Sequence, residues 1–130
     1  MNLFQAIAQT LRALFGQAFV TFSWIEIEED RPDRLVLNIN TRRVVVDRVT
    51  RLISCSGRSI TTFSSIQSID VKHCRGSRGL EWWVVGLRLL GDRTERIGNA
   101  ADEAQASIAA AHLSTVTGKP VRSVASWYKV

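Results

Sequence analysis

The chain has 130 residues, enough for one domain and one core, and its 45% hydrophobic and 22% charged content is that of a folded globular protein. Two prolines and eight glycines argue against long disordered linkers, and two cysteines are too few for a disulfide framework. The net charge of +5 is compatible with an acidic partner but does not require one.

That charge is regional. Residues 31–78 hold Arg31, Arg34, Arg42, Arg43, Arg48, Arg51, Arg58, Lys72, Arg75 and Arg78 against Asp33, Asp47 and Asp70, whereas Glu26, Glu28, Glu29 and Asp30 make the preceding stretch acidic. No run is apolar enough for a membrane-spanning helix, and the first residues lack the basic start of a secretory signal. A reduced, cytoplasmic protein is expected, with the inner membrane surface as a peripheral site, and one Cys55–Cys74 bridge stays open.

Leu3, Phe4, Ile7, Ala8, Leu11, Leu14 and Phe15 recur at helical spacing and end at Gly16, which predicts an amphipathic helix over residues 1–16. The period then changes to two. Residues 19–27 read as a first strand, Arg31-Pro32-Asp33 as a turn, and Arg34 to Ile39 as a strand with Leu35, Leu37 and Ile39 inward. The next strand runs from Arg43 to Val49 and pairs with it as a hairpin through Asn40-Thr41-Arg42. Cys55-Ser56-Gly57 and Ser64-Ser65 set off two further strands, Arg58 to Phe63 and Ile66 to His73.

After the polar loop Arg75 to Gly79, the segment Glu81 to Leu89 places Trp83, Val85, Leu87 and Leu89 on one face and Trp82 and Val84 on the other. A turn at Leu90 to Arg93 leads to a short strand at Thr94 to Ile97. The period then returns to helical over Ala100 to Thr117, with Asn99 as N-cap, Gly118 as the stop, and Ala101, Ala104, Ile108, Ala109, His112, Leu113 and Val116 as the inner stripe. The last residues, 122–130, form a tail suited to an edge strand or to docking on the outer face at Trp82.

Seven strands in meander order followed by one helix define an α+β, mainly β chain. Four local motifs sharpen this: Asn40-Thr41-Arg42-Arg43-Val44 in an early hairpin, Phe63-Ser64-Ser65-Ile66-Gln67-Ser68-Ile69-Asp70-Val71, Leu87-Arg88-Leu89-Leu90-Gly91-Asp92-Arg93, and Gly118-Lys119-Pro120-Val121 after the helix. Over about residues 19–121 this pattern resembles the pleckstrin-homology-like (PH-like) domains of uncharacterised bacterial proteins, many of them membrane-attached. The resemblance implies a bent seven-stranded sandwich or barrel closed by the C-terminal helix, here with an extra N-terminal amphipathic helix. The domain boundaries expected are the helix at 1–16, the PH-like domain at 17–121 and the tail at 122–130. Phosphoinositide-binding members carry basic residues where this chain has Glu28-Glu29-Asp30, which opposes the familiar inositol phosphate pocket.

No residue pattern announces chemistry. His73-Cys74 followed by Arg75 and Arg78 suggests a phosphatase loop, but the position six after Cys74 is Leu80 and the loop joins two strands. Cys55, His73, Cys74 and His112 lack the close ligand pairs of a zinc site, and neighbouring strand residues such as His73 and Cys74 point to opposite faces. No catalytic residue, metal or cofactor is expected, and the chain is read as a nonenzymatic binding or scaffold module. Trp82, Val84 and Trp127 are the candidate protein-binding residues, with Trp82 and Trp127 expected exposed, and Arg42, Arg43, Lys72, Arg75 and Arg78 are the candidate anionic-surface residues. The expected partner is a protein or a second copy of the chain. The alternative is a peripheral membrane module that binds anionic lipid through the N-terminal helix and the basic loops. Nucleic acid is disfavoured, because Trp24 and Trp83 fall among inward residues, and no small-molecule substrate is expected.

Overall fold

The computed structural model describes residues 24–39 and 42–127. The expected N-terminal helix and the first residues of the expected leading strand lie outside them. Nine strands and one long helix are present among the described residues: β1 (Ile25–Arg31), β2 (Arg34–Ile39), β3 (Arg42–Asp47), β4 (Leu52–Cys55), β5 (Arg58–Thr62), β6 (Ile66–Arg75), β7 (Glu81–Leu89), β8 (Arg93–Ala100), α1 (Glu103–Thr117) and β9 (Val121–Trp127). The fold is mainly β, as the alternation of residue types predicts.

The strands form two sheets. The first is the meander β1-β2-β3-β4-β5, and the second has the order β8-β7-β6-β9, with β9 parallel to β6 and all other neighbours antiparallel. Leu35, Leu37, Ile39, Val44, Val46 and Ile53 from the first sheet meet Ile69, Val71, Val85, Leu87 and Leu89 from the second in one core. Phe63, 2% exposed, lies in a 3₁₀ turn where the chain leaves the first sheet for the second. Helix α1 closes the core with Ala106, Ala109, Ala110, Leu113 and Val116, and the three alanines let its backbone come close to the sheets. At Gly98 the sheets approach so closely that a Cβ would overlap the Ile39 Cγ2.

Three expectations need correction. The strand expected from Arg43 to Val49 stops at Asp47, whose Oδ1 accepts hydrogen bonds from Val49 N at 2.8 Å and Thr50 N at 3.1 Å. This Asx-type turn, completed by Arg51 at φ 59°, turns the chain back into an additional strand, β4, and with β9 from the C-terminal segment the seven expected strands become nine among the described residues. Helix α1 is capped by Asp102, whose carboxylate accepts from Ala104 N at 2.9 Å, and not by Asn99. Asn99 stays in β8 opposite Val84, because continuing the β7–β8 ladder satisfies its backbone before a helix can start.

The buried stripe of the helix also differs from the one expected. Its buried face is Ala106, Ala109, Ala110, Leu113, Val116 and Thr117, while Ile108 is 53% exposed. The stop at Gly118 is as expected: φ is 75°, a left-handed conformation, and its N–H bonds Ser114 O. The tail is the edge strand β9 over Val121–Trp127.

Candidate binding surface

The face of the second sheet turned away from the core carries the most distinctive geometry. On β6, Ile69 and Val71 point into the core, so Asp70, Lys72 and Cys74 point outward; on β7, Trp82, Val84 and Gly86 do the same. Opposite pairs bring Cys74 to Trp82, Lys72 to Val84 and Asp70 to Gly86. Cys74, Trp82 and Val84 form a second small apolar cluster, with Leu80 packed against it.

Beside that cluster runs a groove of about 320 Å³ between β6, β7 and β8. Gly86 is one cause of it. The β7–β8 register shifts between Val85 and Gly86, and a Cβ at Gly86 would press on Glu95 O at 3.2 Å, so the outer face has no side chain there. Trp82 and Val84 line one part of the groove, Lys72 and Arg96 supply cations, and Asp70 and Glu95 supply carboxylates.

The Asp70 carboxylate is already committed. Asp70 is 3% exposed, its Oδ1 accepts from Ser68 Oγ at 2.7 Å, and its Oδ2 accepts from Arg122 Nη2 at 3.0 Å. The pair ties β9 to β6 and neutralises one negative charge of the groove, leaving the two cations Lys72 and Arg96 against the single carboxylate of Glu95. Both cations act on Cys74: burial raises its thiol pKa, and Lys72 and Arg96 pull it partly back.

The sequence candidates are thus divided. Trp82 and Val84 lie together on the outer face, but Trp82 is only 9% and Val84 only 8% exposed, so the expected exposed tryptophan is the wall of a groove and not a projecting anchor. Trp127 is in register with Arg75 at the end of β9; its side chain lies outside the described part. Of the five anionic-surface candidates, Lys72 alone lines the groove. Arg42 and Arg43 belong to the first sheet, where Arg42 Nη2 donates to Ile97 O at 2.8 Å and Arg43 Nε lies 3.6 Å from Glu28 Oε2. Arg75 lies at the opposite strand parity from Lys72 and pairs with Glu81 at 3.0 Å, and Arg78 sits in the β6–β7 loop at φ 66°. The five do not make one patch.

Arg96 and Arg122 were not among the candidates. The alternation in β6 could have flagged Asp70 as a carboxylate in need of a cation, but nothing local points to a partner 52 positions away.

The other chemical candidates are dispersed. His73 stacks on Trp83 with centroids 4.9 Å apart and planes 4° from parallel, and its Nε2 lies 3.4 Å from Glu81 Oε1. His112 pairs with Asp30 at 3.1 Å across the α1–β1 contact. Cys55 and Cys74 are both free thiols, on different sheets, which closes the question of a bridge between them. Among the described residues no three His, Cys, Asp or Glu side chains are grouped to hold a metal ion. No described helix is long and apolar enough to cross a membrane. Compared with protein-family models, curated proteins and solved structures, the chain matches none.

Proposed function

We propose that the chain is a noncatalytic binding and scaffold module of PH-like architecture, and that it captures a partner protein in the groove on the outer face of β6, β7 and β8. Two sheets around one core with a helix packed across both support the architecture. The observation that carries the function is the pairing of an apolar wall, Trp82 and Val84, with two cations, Lys72 and Arg96, in one groove. The occupant that fits is a partner segment presenting one aromatic or aliphatic side chain with an Asp or Glu beside it. The apolar group displaces water from the Trp82 wall, and the carboxylate meets two cations, Lys72 and Arg96, set against one uncommitted groove carboxylate, Glu95, because Asp70 is already engaged by Arg122.

Selection of a random displayed peptide library on the full chain, against a Lys72→Glu/Arg96→Glu double variant, tests this. Arg96 is exposed and Lys72 half-buried on the outer face, and an unchanged melting temperature of the variant is the control for its fold. The expected enrichment is of peptides with an apolar residue next to an acidic one, whose binding weakens with salt and is lost in the double variant. Equal enrichment on both proteins overturns the groove reading. So does salt-sensitive sedimentation with anionic vesicles that survives the double variant, which establishes the peripheral membrane module instead.

A further inference from the structure

Each sheet has two outer strands, and three of the four carry the features that block strand addition. Strand β1 has Glu26, Glu28, Glu29 and Asp30 and a register shift between Ile27 and Glu29. Strand β5 is five residues long, and its pairing with β4 shifts register at Ile53/Ser54. Strand β8 carries Arg93, Glu95 and Arg96 and shifts at Val85/Gly86. Strand β9 has none of these. Its seven residues pair with β6 in unbroken register from Ile69↔Val121 to Arg75↔Trp127, and its one charge, Arg122, is held by Asp70.

The orientation of the β9 backbone follows from one hydrogen bond. Ile69 N–H donates to Pro120 O at 2.8 Å, and in a parallel ladder this turns the N–H and C=O of Arg122, Val124 and Ser126 toward β6. The same groups of Val121, Ser123, Ala125 and Trp127 face away from it, and among the described residues no strand pairs there. Val121 is 44% exposed, and Ser123 and Ala125 are exposed as well.

We infer that this edge is a self-association surface, on which β9 of one chain pairs antiparallel with β9 of a second copy about a two-fold axis at Val124. That register sets Ser123 opposite Ala125 of the second copy and Val121 opposite its Trp127. Outward-facing backbone groups therefore meet outward-facing groups, with about eight hydrogen bonds across the axis. Arg122 falls opposite Ser126 of the second copy, so no like charges face each other, and the two second sheets join into one. A single strand pair covers less than the roughly 1,200–2,000 Å² of a standard stable interface, so the dimer dissociates in the micromolar range. This surface is separate from the groove, and either reading can fail without the other.

Sedimentation velocity of the full chain over a wide concentration range tests the inference with Ala125→Pro and Ser123→Lys. Proline is tolerated where the N–H points away from the sheet, so Ala125→Pro leaves the β6 ladder intact and removes one outward donor per copy. Two bonds per dimer are lost, and the dissociation constant rises about thirtyfold. Ser123→Lys places the charge that the other edges already have and keeps every backbone donor, so it covers the case in which the proline variant unfolds. The expected result is a concentration-dependent dimer in which the Ser123 and Ala125 amides are protected from exchange only at high concentration, with dissociation shifted to higher concentration in both variants and the melting of the dilute monomer unchanged. A chain that stays monomeric at millimolar concentration, or a dimer indifferent to the variants, overturns the proposal.

Discussion

Replacing Arg122 by Met tests the tie between β9 and β6 most directly. The substitution keeps the aliphatic stem and removes the guanidinium, leaving the Asp70 carboxylate, with a side chain 4% exposed, bonded only to Ser68. Breaking a fully buried pair costs about 3–5 kcal/mol, and leaving a buried acceptor unsatisfied about 1–3 kcal/mol. The Arg122 side chain is 48% exposed, so solvent already screens the pair and water can reach part of the vacated space, which places the expected loss at about 2 kcal/mol. For a chain of this length that is a fall in Tm of roughly 6–10 °C. Asp70→Asn keeps an acceptor for Ser68 and frees an arginine that is already half in water, so its cost is lower, about 1 kcal/mol. The double variant should cost about 1 kcal/mol less than the two singles added. The assay is urea denaturation at low protein concentration with unchanged m, together with amide exchange, which should accelerate first in β9 when Arg122 is lost. Arg122→Met within about 0.5 kcal/mol of the parent chain, or strict additivity, would refute the reasoning.

Gly98→Ala should cost about 1–3 kcal/mol by urea denaturation, because the new methyl overlaps the fully buried Ile39. Ile39→Val keeps the offending Cγ2 and should not relieve the loss, whereas in an Ile39→Ala background Gly98→Ala should add little. Iodoacetamide should label half-buried Cys55 in the native chain and reach Cys74, 0% exposed, only on unfolding. Because burial raises the Cys74 pKa, the folded chain holds that proton more tightly than the unfolded one. Its contribution is full below about pH 8.5 and is lost as pH rises through the higher folded value, so Cys74→Ala should flatten the alkaline fall in stability. Asp102→Ala removes the acceptor of Ala104 N–H and should cost about 1 kcal/mol with α1 fraying at its start, visible as faster amide exchange in its first turn.

Much of the β architecture is legible as alternation. The β2–β3 hairpin, the turn at Ser56-Gly57, the two faces of β7 and the stop of α1 at Gly118 all follow from spacing and turn residues. The break at Asp47 escapes that reading because Val49 continues the apolar pattern while the Asp47 carboxylate folds the backbone beneath it; Val49 ends 78% exposed. The start of α1 escapes it because two acceptable caps lie three residues apart, and pairing of Asn99 with β7 decides between them.

The candidate groove divides along the same line. Residue periodicity by itself puts Trp82 and Val84 on the outer face of their strand, and separates His73 from Cys74, because a strand sends successive side chains to opposite sides whatever it packs against. Only the tertiary structure decides that Trp82 is buried, that Lys72 and Arg96 meet beside it, that Arg122 neutralises Asp70, and that β9 lies parallel to β6 with its other edge open among the described residues. Those outcomes depend on the register of strands far apart in the chain, and that register is set by the fit of two sheets and a helix around one shared core, which no local window of sequence contains.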